Sequence, residues 1–110
     1  MDNVKDDEYY KEKIISDIDH IVKHMENIDE LALIDDEILF DALSFRLVQI
    51  AENAKHLSDK FKESHSDIEW PQINGLRNVL IHDYDNVNYS VVYETLKDDI
   101  IKLKSQLEKE

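Results

Sequence analysis

Cysteine is absent from this chain of 110 residues, which carries one glycine, one proline and one tryptophan, and it is poor in base: 13 Lys plus Arg stand against 26 Asp plus Glu. Each shortage excludes something. Without cysteine there is no disulfide scaffold, no thiolate metal site and no sulfur nucleophile, and the composition suits a reducing, cytoplasmic setting. With only Gly75 and Pro71 to punctuate it, a chain of many tight strand turns is excluded, and helices joined by short polar turns are expected. The formal charge of −13 argues against broad nucleic-acid binding, DNA included, because such binding draws its affinity from neutralised phosphates; a small basic cleft is still compatible with it. No run reaches the roughly 18–20 apolar residues of a membrane span. The opening MDNVKDDEYYKEK lacks the basic-then-apolar layout of a signal peptide. A hydrophobic content of 42% with 35% charged residues describes a globular protein, and the length suits a single domain over residues 1–110.

What is present is helical periodicity. Tyr10, Ile14, Ile18, Ile21, Met25 and Ile28 recur every three or four residues, which places them on one face of a first helix. Asp35 or Asp36 is suited to cap a second. That helix carries Leu39, Leu43, Leu47, Ile50, Ala54, Leu57 and Phe61 in register, with Phe40 and Phe45 beside them. KESHSDIEW at 62–70 breaks the period and reads as a loop. Pro71 suits the first turn of a third helix, where its missing N–H costs nothing, and Ile73, Leu76, Leu80 and Tyr84 mark that helix's buried side. Asp85-Asn86-Val87-Asn88 is turn-like. A last helix follows, with Val92, Leu96, Ile100, Leu103 and Leu107 in phase and Lys102, Lys104 and Lys109 near its end, where a helix dipole favours cations. The expected fold is all-α, an antiparallel bundle of four to five helices.

The segment RNVLIHDY at 77–84 concentrates chemistry. With Arg77 at zero on a helical wheel, Asn78 lies near 100°, His82 near 140° and Tyr84 near 340°. Arg77 and Tyr84 therefore share a face, whereas Arg77 and His82 lie well apart and need either a distorted helix or a second copy across a two-fold axis to meet. Histidine is suited to proton transfer near neutral pH, and a guanidinium binds phosphate and steadies charge in a phosphoryl transition state. With asparagine to orient them and an RNA 2′-hydroxyl as internal nucleophile, these groups suffice for cleavage without a metal. The local alternative is an arginine bonded to Asp83 or Asp85, with His82 and Tyr84 as packing residues.

GLRNVLIHDYD resembles the Arg-x4-His-x-Tyr signature of the HepT-like branch of the HEPN superfamily, with Arg77, His82 and Tyr84 at its three defining positions and Asn78 after the arginine. FRLVQIAENAKHLS at 45–58 is similar to that family's central helix, and WPQINGLRN at 70–78 to its entry into the motif helix. The resemblance covers essentially the whole chain. It implies an all-α homodimer that cleaves RNA without metal and serves as the toxin of a toxin–antitoxin pair, with an MntA-type minimal nucleotidyltransferase as antitoxin. It implies that Arg77 binds phosphate, His82 acts in acid–base catalysis, Asn78 assists, and Tyr84 is the site at which the partner attaches AMP. The competing class is a non-catalytic, acidic helical module that binds a protein partner through an apolar seam.

Other candidates are weaker. His20 and His24 have the i, i+4 spacing of a metal pair but lack a third ligand, so surface histidines and no metal are expected. His56 and His65 have no companions and are expected to face solvent. Arg46 and Glu52 lie near the buried stripe of the second helix and are expected to form ion pairs with neighbouring helices, the alternative for Arg46 being added charge at the cleft. Tyr9 and Tyr10 are expected to pack at the bundle end. No Gly-rich phosphate loop is present, so neither a cofactor nor nucleotide binding by the chain itself is expected.

Overall fold

The acidic residues first act as helix caps. A computed structural model describes residues 5–109, and in it α1 (Asp7–His24) is capped by Asp6, whose carboxylate accepts from the Tyr9 N–H at 3.0 Å. Asp29 caps the short α2 (Glu30–Asp35) and Asp36 caps α3 (Glu37–Lys55) in the same way. Ser58 caps α4 (Asp59–Ser64), and Asn88 caps α6 (Tyr89–Glu94). Each such cap is worth about 1 kcal/mol. α5 (Trp70–His82) starts differently, with no side-chain cap and Pro71 in its first turn. After α5 comes a 3₁₀ turn (Tyr84–Asn86). α6 then runs through a wide π turn (Thr95–Asp99) into α7 (Ile100–Leu107), forming one rod.

The described residues contain no strand, and the all-α expectation stands. Side-chain ties show the antiparallel order. Asp7 at the start of α1 accepts from the Ser58 N–H and hydroxyl just beyond α3. Lys97 in the π turn donates to the Met25 and Ile28 carbonyls after α1, while Lys104 reaches back to Asp19 at 2.8 Å. The core sits between α1, α3 and the rod. Ile14, Ile18, Ile21, Leu33, Leu43, Val92, Leu96 and Leu107 are its largest fully enclosed side chains, and each contributes about 1.5–3 kcal/mol by leaving water.

Two boundaries differ from the sequence expectation. The stripe through Ala54, Leu57 and Phe61 is not one helix: α3 stops at Lys55, and α4 occupies the first part of the expected loop. Ser58 explains the break, because its hydroxyl takes the Phe61 N–H at 3.0 Å and starts a new helix. The helix carrying the motif ends at His82, so Tyr84 is 39% exposed in the 3₁₀ turn rather than on a buried helix face. Tyr10 packs at the bundle end as expected, its ring stacked on that of His56 at 4.9 Å. No helix among the described residues is long and apolar enough to cross a membrane.

Candidate functional site

α5 contributes only one buried side chain, Leu80, and rests on α3. Its half-buried side carries Ile73, Leu76 and Val79; its open side carries Asn74, Gly75, Asn78, Ile81 and His82. The residue between the two sides is Arg77. Its Nε and Nη2 both donate to Oε1 of Glu52 on α3, at 3.2 and 2.8 Å, and its Nη1 donates to Oδ1 of Asn78 at 3.1 Å. Three of the five guanidinium N–H groups are thus committed, and two have no partner among the described residues. These bonds from Arg77 hold the Glu52 carboxyl below its ordinary range. The carboxylate that binds Arg77 is therefore Glu52, and neither Asp83 nor Asp85.

Tyr84 turns toward the same helix but reaches a different point on it. Its hydroxyl donates a hydrogen bond to Oδ1 of Asp41. Partial burial and then that bond push the phenol up to about 12. Asp41 and Glu52 are eleven residues apart, which on an ideal helix is nearly the same face and about 16 Å along the axis. Arg77 and Tyr84 both reach α3, but Tyr84 does so from the 3₁₀ turn and not from the helix face that the wheel gave it, and the two are tied to separate carboxylates. His82 is exposed on the open side of α5, and its side chain makes no hydrogen bond among the described residues. Within one chain the structure pairs Arg77 with Asn78; His82 stands one turn beyond Asn78.

Asp41 was not visible as a site residue in the sequence. Its spacing from Glu52 shows that they share a face, but nothing local says that α5 and its 3₁₀ turn lie along that face. The expected interhelix pairing of Arg46 and Glu52 holds for both: Arg46 bonds the buried Asp17 of α1 at 2.9 Å, away from the motif. His65 departs from its expectation. Its ring stacks on Phe61 at 4.2 Å, and its nitrogens lie 3.0 Å from the Phe61 carbonyl and 3.2 Å from the Lys109 carbonyl, which makes it a structural tie. His20 and His24 have ring centres 4.4 Å apart, and no group of three metal-type ligands occurs among the described residues. A groove of about 400 Å³ between α5 and the C-terminal rod holds none of the motif side chains. It lies behind them, lined by Ile73, Leu76, Ile100 and Leu103.

A helical bundle whose third long helix presents Arg77, Asn78 and His82, with Tyr84 in the turn that follows, is of the HEPN type. Residues 12–110 match the family model described as "Ribonuclease HepT-like", and the chain belongs to that HepT-like family. It is similar to a protein of Caldanaerobacter subterraneus subsp. tengcongensis named "Putative RNase", with 33% identity over 89% of this chain and 88% of that one. It is also similar to the "Probable ribonuclease HepT" of Thermococcus cleftensis, with 38% identity over 54% of each chain. No solved structure matches the chain.

Proposed function

We propose that this chain is a metal-independent endoribonuclease toxin, active as a homodimer in the cytoplasm and held in check by an MntA-type nucleotidyltransferase that attaches AMP to Tyr84. The observation that carries the reading is the state of Arg77: a guanidinium oriented by Glu52 and Asn78, with two N–H groups uncommitted, beside an open helix face bearing His82. A phosphate seated on Arg77 and Asn78 has its charge stabilised where it builds up during attack by the 2′-hydroxyl, and His82 transfers the proton. The names of the relatives agree with ribonuclease chemistry.

Dimerisation is supported by apolar surface on the two helices that carry the site. Ile38 is 84% and Phe45 58% exposed on the face of α3 that holds Asp41 and Glu52, and Ile81 is exposed between Asn78 and His82. Covering these residues with a second copy would bring the His82 of one chain toward the Arg77 of the other. AMP on Tyr84 would then add a charged phosphodiester and an adenosine two residues from His82, opposing RNA by charge and by bulk.

The test is cleavage of a mixed-sequence RNA by the purified protein with EDTA present. Cutting by the wild type, reduced about 10²-fold or more in His82→Ala and Arg77→Ala, is expected. Equal cutting by all three would remove both residues from the chemistry. No cutting, with a protein partner bound through the apolar surface, would favour the non-catalytic module.

A further inference from the structure

Tyr84 and Asp41 form a pair that cleaving RNA does not require. The tyrosine ring is held beside Phe40, 6.4 Å between centres, and Phe40 is packed in turn on Tyr89 at 4.8 Å. The ring is braced on one side, yet 39% of the residue remains open to solvent. Its hydroxyl proton is given to Asp41, which leaves the oxygen lone pairs to act. Asp41 is itself exposed and joins no ion pair among the described residues. The other groups that act electrostatically on the phenol are Glu37 on α3 and Tyr89 on α6, and neither is a cation.

A phenol pushed up to about 12 is ionised only about one part in 10⁵ at pH 7. A phenolate formed in advance therefore contributes little; a nucleophilic Tyr84 has to lose its proton while it reacts, and a base must already be in contact. We propose that Asp41 is the general base for covalent modification of Tyr84, taking the phenolic proton as Oη attacks the α-phosphorus of a nucleoside triphosphate presented by a nucleotidyltransferase. The Oη–phosphorus bond forms, the bond from the α-phosphorus to the bridging oxygen breaks, pyrophosphate leaves, and the proton rests on Asp41 until solvent removes it. The product has no hydroxyl left to donate to Asp41, so modification also removes that hydrogen bond between the turn and α3. The inference rests on the reading of Tyr84 as the modified residue.

The experiment follows intact mass over time for the full chain incubated with ATP and the MntA-type nucleotidyltransferase. Asp41→Asn keeps an acceptor for the phenol but cannot hold the proton, Asp41→Glu restores a base, and Tyr84→Phe reports modification elsewhere. The expected result is an AMP-sized gain on the wild type and none on Tyr84→Phe. In Asp41→Asn the initial rate should fall about 10²-fold and climb with pH between 7 and 9, where the wild type stays flat; Asp41→Glu should recover part of it. A wild type that gains mass at the same rate and with the same pH profile as Asp41→Asn would overturn the role of Asp41 alone. A wild type that gains no mass would overturn the reading of Tyr84 and the inference with it. Ultraviolet titration of Tyr84 checks the contact without any partner: its midpoint should drop from about 12 in Asp41→Asn, and an unchanged midpoint would count against the pair.

Discussion

Where α1, α3 and the C-terminal rod meet, the bundle is closed like the core of a much larger protein, whereas the side carried by α5 is open. The largest fully enclosed side chains come from α1, α2, α3 and the rod, and none comes from α5, which buries Leu80 alone. α1, α2, α3, α4 and α6 begin on capping side chains; α5 has none and is separated from the rod by a groove. The difference teaches where each property resides. Apolar burial on one side holds the fold, so α5 is free to spend its outward positions on Asn78, Ile81 and His82. Two carboxylates on α3 then fix the remaining motif groups by hydrogen bonds added to partial burial.

Substitutions can test that division. Ile18→Ala removes a side chain with no exposure and should cost about 3 kcal/mol in urea unfolding, whereas Ile73→Ala on the half-buried side of α5 should cost about 1 kcal/mol; equal costs would erase the contrast. Asp17→Ala breaks the buried end of the pair with Arg46. Because Arg46 can turn to solvent, the loss should be about 1–2 kcal/mol, with the motif untouched. Ser44 has a buried hydroxyl without a partner among the described residues, so Ser44→Ala should raise the unfolding free energy in urea by up to about 1 kcal/mol.

The contact between α3 and α5 should show itself through pH. Glu52 has a folded pKa below its ordinary 4.5 because of Arg77. Its contribution is therefore fully present above that value and is lost as pH falls through the lower folded one. Urea midpoints of the wild type should decline through this acid window, and those of Glu52→Gln should decline less. The smallest effect is expected at Gly75. A β-carbon there meets nothing within 4 Å, so Gly75→Ala should stabilise the single chain by about 0.5–1 kcal/mol by calorimetry. A gain in stability accompanied by loss of self-association would locate a second copy at that face.

Much of this was legible in the sequence for a simple reason. Periods of three and four fixed the buried faces of α1, α3 and the rod, because each face is decided by one helix at a time. The end of α3 was not legible, since the apolar spacing continues smoothly from Ala54 to Phe61 across a break made by one serine. Nor was the position of Tyr84: a wheel extends a helix past Asp83 as readily as before it. The ties from Arg77 to Glu52 and from Tyr84 to Asp41 span 25 and 43 residues. Contacts between helices at such separations leave no mark in local spacing.

The two carboxylates also make α3 a ruler. Being set three turns apart on one rigid rod, Asp41 and Glu52 cannot change their separation without breaking the rod itself, so Arg77 and Tyr84 are held at a fixed gauge. Phe45 projects from the same face between them and is open to solvent. A body that seats on Phe45 and tilts or slides α3 would strain both ties together. The Arg77 end and the Tyr84 end would then respond in unison, although no bond joins them.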